Sequence, residues 1–191
     1  MELFNIFIGA LLVSNIILAN FLGICSFVGV SKKSSSALGM GMAVVFVITA
    51  ASMATWPVYH FVLTPFDLTF MRTIVFILII ATLVQFVEMF MKKNMVSLYK
   101  SLGVYLPLIT VNCAVLGAAL LNIDRDLTFW GTVANGLGIS LGYCLVIYIF
   151  STIRERLDLA TTPRGFKGIP IALVTASLMA MAFVGFFGLG G

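Results

Sequence analysis

The chain of 191 residues is 61% hydrophobic and only 9% charged, with a mean hydropathy of +1.16. Soluble domains carry roughly 25% charged residues, so a water-soluble globular protein is excluded. The net charge of +4 carries no implication of nucleic-acid binding, because the apolar stretches leave no room for a domain outside the bilayer.

An apolar run of about 18 residues or more predicts a membrane-spanning helix, and six such runs follow one another. The first, Leu3–Ser31, opens Met1-Glu2-Leu3 without a basic segment. Its apolar length exceeds that of a signal-peptide core, so it reads as a retained helix. Ser34–Phe66 is the second, and Leu68–Met91, with Arg72 near one end and Glu88 near the other, is the third. Ser101–Ile123, Leu127–Ile153 and Gly168–Gly191 complete the set. The expected fold is therefore an all-α integral membrane protein of six transmembrane helices, a single membrane domain over residues 1–191.

Lysine and arginine resist translocation, so loops rich in them stay cytoplasmic. Lys32, Lys33, Lys92, Lys93, Lys100, Arg154, Arg156, Arg164 and Lys167 fall in the odd loops, 9 of the 11 cations, against Arg72 and Arg125 on the opposite face. Both termini are then expected outside, in a bacterial or archaeal cytoplasmic membrane. Trp56, Tyr59 and Trp130 act as outer interface anchors, and His60 beside them reads as an interface residue.

Six spans divide into halves that enter the membrane from opposite sides, repeat one over about 1–95 and repeat two over about 96–191. Cys25-Ser-Phe-Val-Gly29 matches Cys113-Ala-Val-Leu-Gly117, and Leu38-Gly39 through Ile48 aligns with Leu137-Gly138 through Ile147. Such internal similarity is the signature of an inverted repeat. Asn20-Phe-Leu-Gly23 precedes Cys25, and Pro107 with Thr110 and Asn112 precedes Cys113. Proline, glycine and asparagine tolerate or force non-helical backbone, so broken helices are expected around both cysteines. At membrane depth such breaks occur only inside protein or along a cavity, which points to a functional centre there.

A lone cysteine in an apolar span is usually a small buried hydrophobe, the reading given to Cys144. For the symmetric pair, thiolate ligation of iron is the sharper reading, and a disulfide remains open. Two-iron clusters take four cysteines and structural zinc takes four ligands, so two thiols imply a second chain supplying the rest. Asn15, Asn20, Gly23, Thr110 and Asn112 are candidates to orient the cysteine loops. Glu88, the acid within a span, is a candidate for an ion path, although Lys92 one turn later offers it an ordinary ion pair. Arg154-Glu155-Arg156 reads as a solvated helix end.

Asn20-Phe-Leu-Gly-Ile-Cys25-Ser-Phe-Val-Gly-Val-Ser-Lys32-Lys33 and Gly39-Met-Gly41 resemble the N-terminal signature of the A subunits of the Rnf ion-translocating electron-transport complex. Gln85-Phe-Val-Glu88, Leu106-Pro107-Leu-Ile-Thr110-Val-Asn112-Cys113-Ala-Val-Leu-Gly117, Ile153-Arg-Glu-Arg-Leu157 and Phe166-Lys-Gly-Ile-Pro170 continue it. The E subunit of the sodium-pumping NADH:quinone reductase is similar and stays an alternative. The resemblance implies a [2Fe-2S] cluster near the bilayer midplane, with Cys25 and Cys113 as two of its four ligands. The homologous protein RnfE would supply the other two, and RnfB, RnfC, RnfD and RnfG would be the remaining partners. The implied function is an intramembrane electron relay in ferredoxin:NAD+ oxidoreduction coupled to Na+ or H+ translocation, not catalytic alone. Placing an electron in a medium of low dielectric costs several kcal/mol, which is how a redox change could be coupled to ion movement. A small secondary transporter shares the architecture and is the rival class, and a cofactor-free assembly protein is a third.

Overall fold

In the computed structural model, residues 2–13, 15–65, 69–94, 112–159 and 167–187 are described, and every regular element among them is helical. Seven α-helices follow in chain order. They are α1 (Glu2–Ile8), α2 (Ile24–Val30), α3 (Ser34–Val58), α4 (Arg72–Asn94), α5 (Cys113–Asp124), α6 (Phe129–Asp158) and α7 (Ile169–Phe187). A π-helical turn, Gly9–Val13, extends α1 and another, Tyr59–Leu63, extends α3 just past Pro57. Among the described residues, three helices are long and apolar enough to cross a membrane, over Ser34–Leu63, Arg72–Met89 and Phe129–Asp158. Cys113–Asp124 and Ile169–Gly185 are shorter apolar helices.

The first apolar run is not one helix. Between Val13 and Ile24 the described backbone is a series of turns, for identifiable reasons. The Asn15 side-chain oxygen accepts the Ile17 N–H at 3.2 Å, a local bond that competes with the helical ladder. Gly23 then sits at φ 91° and Phe21 at φ 54°, angles outside any right-handed helix. The break expected before Cys25 is therefore present. Of the segment expected to break before Cys113, residues 95–111 lie outside the described residues, including Pro107 and Thr110.

Helices α3 and α6 form the antiparallel centre of the bundle. Their pairing runs from the Ser34 N–H, which donates to Glu155 Oε1 at 2.7 Å, to Ser52 against Gly136. Gly41 faces Cys144 midway, and a methyl group there would lie 2.6 Å from Cys144 Sγ. Helix α1 and its π-turn lie along α6 in the parallel sense. A methyl on Gly138 would come within 2.7 Å of the Phe7 carbonyl oxygen, and one on Gly142 within 2.7 Å of the Leu11 carbonyl oxygen. Small residues four apart let helix backbones touch in a membrane, and here Gly138-x-x-x-Gly142 does so.

One end of the bundle gathers Trp56, His60, Arg72, Asp124 and Trp130. There the Trp56 Nε1–H donates to the Leu127 carbonyl oxygen at 2.9 Å, and Arg72 pairs with Asp124 at 2.7 Å. The other end carries Lys32, Lys33, Lys92 and Lys93. Arg154, expected in a solvated helix end, is only 4% exposed. Its guanidinium donates to the Val28 carbonyl oxygen at 2.7 Å and to Ser31 Oγ at 3.0 Å. It closes the C-terminus of α2, where unpaired carbonyls attract a cation.

Candidate functional site

Helix α6 positions the first cysteine. Tyr143, Ile147, Phe150 and Arg154 recur at helical spacing along one buried face of α6, and α2 lies against it. The Tyr143 hydroxyl and Ser26 Oγ share a hydrogen bond of 2.7 Å. Phe27 stacks on Phe150 with ring centroids 4.0 Å apart, and Arg154 holds the far end. Three consecutive contacts thus fix the register of α2, and Cys25, in its first turn, faces outward and is exposed.

Helix α5 positions the second. Asn112 caps it, its side-chain oxygen accepting the Ala114 N–H at 3.1 Å. Cys113 is the first helical residue and is half-buried. A methyl group at Gly117 would collide with Leu22 Cδ1. The glycine of the Cys-x-x-x-Gly motif therefore lets the broken segment of the first half lie on α5.

The two halves meet at Gly23. Its N–H donates to Cys113 Sγ at 2.9 Å, while its carbonyl oxygen accepts from Ser26 Oγ at 2.9 Å. The Asn112 amide donates to the same Ser26 oxygen at 3.4 Å. The Gly23 N–H, two residues before Cys25, thus brings the Cys25 helix to Cys113, and both thiols are free rather than joined. Each stands at a helix N-terminus. A methyl at Gly23 would be crowded, lying 3.1 Å from Tyr143 Cε2 and 3.2 Å from Ala114 Cβ.

Among the described residues no three His, Cys, Asp or Glu side chains gather as a metal site. Residues expected near the cysteines separate accordingly. Gly23 and Asn112 are there. Asn20 is exposed and lines an apolar groove of about 590 Å³ against Ser177, Ala180 and Met181 of α7. Asn15 is buried near Gly142 and serves the turn at Ile17. Glu88 is half-buried on α4, and the ion pair expected with Lys92 is not formed. His60 is exposed and stacks on Trp56 at 4.6 Å. Ser26, Tyr143 and Arg154 escaped the sequence reading as site-forming residues. Ser26 adjoins Cys25, but nothing in the sequence links it to Tyr143, 117 residues away.

A family model described as an Rnf-Nqr subunit, membrane protein, matches residues 3–190. The chain belongs to the Rnf-Nqr family. Among curated Rnf-Nqr relatives, the A subunit of the Na(+)-translocating ferredoxin:NAD(+) oxidoreductase complex of Acetobacterium woodii is 54% identical over 189 residues, covering 99% of this chain and 98% of that protein. The A subunits of the ion-translocating oxidoreductase complexes of Syntrophotalea carbinolica and Azoarcus sp. are 53% and 52% identical, each over 98% of this chain and 97% of the relative. An Rnf-Nqr subunit is a membrane protein, and the apolar helices accord with a multi-pass location.

Proposed function

We propose that this chain is the A-type membrane component of an Rnf complex and that Cys25 and Cys113 are two of the four ligands of a [2Fe-2S] cluster. The observation that carries the reading is the 2.9 Å bond from the Gly23 N–H, two residues before Cys25, to the Cys113 sulfur, which brings two free thiols from opposite halves of the chain to one place with Cys25 exposed. The donor set fits half of a cluster site. Thiolate sulfur is the ligand such clusters take, and four are needed. The exposed side of Cys25 is where a homologous protein would bring the other two. When bound, the cluster supplies one-electron transfer through the low-dielectric interior.

The chain's own groups have distinct parts in this. The Gly23 N–H donates to one ligand sulfur, and such bonds to sulfur tune the potential of a site. Asn112 and Ser26 tie the two cysteine-bearing helices together. Tyr143 and Arg154 anchor α2 to α6, so that movement of α6 would be felt at Cys25. In this reading the fold has six spans arranged as two inverted repeats, with both termini outside the cytoplasmic membrane. The complex passes electrons between ferredoxin and NAD+ and moves Na+ or H+, with RnfE, RnfB, RnfC, RnfD and RnfG as partners.

Electron paramagnetic resonance with iron and sulfide analysis tests the assignment. The sample is the complex purified in mild detergent, beside Cys25→Ala and Cys113→Ala variants. A two-iron signal lost in both variants while the complex stays assembled is the expected result. Full signal in either variant would remove that cysteine from the ligand set.

A further inference from the structure

Near the Trp-bearing end of the bundle, α3, α5 and α6 enclose a second polar cluster that the cysteine site does not use. Ser52, Asn122, Asn135 and Thr132 are each 0–1% exposed. The Asn122 amide donates to Ser52 Oγ at 3.1 Å, and the Asn135 amide donates to Asn122 Oδ1 at 2.6 Å. Gly136 makes the room, since a methyl there would lie 2.8 Å from Ser52 Oγ. Asn135 Oδ1 and Thr132 Oγ1, however, are buried with no hydrogen-bond partner. The two residues are three apart on α6 and so share one face.

A buried polar atom left unpaired is costly, and inside a membrane no lipid atom can relieve it. Two such atoms on one helix face therefore call for a ligand. The cluster contains no carboxylate, and a hard cation would need a shell of about six oxygens or more. Two free oxygens match instead the two O–H donors of one water, and buried waters typically make about three hydrogen bonds. A pocket of about 10 Å³, the space of a single water, is lined by Trp56, Tyr59, His60, Asp126 and Asn122. Asn122, one of its lining residues, is one hydrogen bond from Asn135.

We infer that Asn135 Oδ1 and Thr132 Oγ1 hold a buried water, exchanged with solvent through the Trp56–His60–Asp126 pocket. Nine residues of α5 separate Asn122 from Cys113, about 14 Å along the helix. Hydration thus reaches partway from the bundle end toward the cysteines. The inference does not depend on what those cysteines bind.

The isosteric change Thr132→Val gives opposite signs for the wet and dry cases. With a water present, the variant complex loses one of its acceptors, and the unfolding midpoint falls by about 2–4 °C. In a dry site the change removes an unpaired hydroxyl, so an unchanged or raised midpoint overturns the inference. Comparing the loss in NaCl, KCl and choline chloride separates water from a cation. Equal loss in all three is expected, and loss confined to one alkali cation would overturn it in favour of an ion site. A density map of the complex fine enough to show ordered water should show a peak in contact with both oxygens; an empty site there would also overturn it.

Discussion

Gly23 meets three constraints at one position. Its φ of 91° costs an L-residue roughly 1–2 kcal/mol, a methyl there would crowd Tyr143 and Ala114, and its N–H bonds the Cys113 sulfur. Gly23→Ala should therefore destabilise the protein by at least about 1–2 kcal/mol and, on the proposed ligand assignment, lower the iron bound by the complex. Thermal unfolding and iron analysis of the purified variant check both, and wild-type values for each would contradict the geometry. Tyr143→Phe is a milder probe. It removes the 2.7 Å bond to Ser26 but leaves Ser26 its bond to the Gly23 carbonyl. A loss of about 1 kcal/mol is expected, with assembly intact, measured by the shift of the unfolding midpoint. Gly23 was legible in the sequence because a glycine beside a cysteine in an apolar run has few other uses. Tyr143 was not, since an aromatic residue in an apolar helix is ordinary until its hydroxyl has a partner.

At the scale of elements, α6 sets the position of everything else. It receives α1 through Gly138 and Gly142, α3 through Gly136 and Cys144, and α2 through Tyr143, Phe150 and Arg154. Gly138→Leu would drive a side chain into the Phe7 carbonyl oxygen, which belongs to backbone and cannot rotate away. Overpacking of that kind costs about 1–3 kcal/mol, and a fall in the unfolding midpoint of the variant should report it. Arg154→Met keeps the length of the side chain but leaves the Val28 carbonyl and Ser31 hydroxyl without their donor. The expected cost is about 1–3 kcal/mol. It should be accompanied by faster hydrogen exchange in Ile24–Val30, the helix carrying Cys25. Unchanged exchange there would show that α2 is held by Phe27 and Ser26 alone. The short helices explain why the sequence was only partly readable at this scale. Hydropathy marks Leu3–Ser31 as one apolar run, while Asn15 and Gly23 divide it by local bonds that hydropathy does not register.

Among the described residues, charge gathers toward the ends of the bundle, with Glu88 half-buried on α4, and polarity inside occurs in clusters. The Arg72–Asp124 pair has side chains 37% and 49% exposed, where water and salt screen it, so Arg72→Ala should change stability by less than about 1 kcal/mol. An unfolding midpoint within a few degrees of wild type is the expected measurement. The interior clusters behave differently, because their long-range donors have been brought to their acceptors by packing rather than by proximity in sequence. Asn122 meets Ser52 across 70 residues, and Gly23 meets Cys113 across 90.

That contrast divides what the chain reveals from what the fold adds. Membrane embedding, the helical class and the special status of Cys25 and Cys113 follow from the sequence. Apolar surface in lipid is a property of each residue and its near neighbours, and a repeated Cys-x-x-x-Gly motif needs no partner to be seen. The burial of Arg154, the anchoring of α2 by Tyr143 and the meeting of Ser52, Asn122 and Asn135 follow only from the tertiary structure. A hydrogen bond depends on distance in space, and residues far apart in the chain acquire that distance when the helices pack.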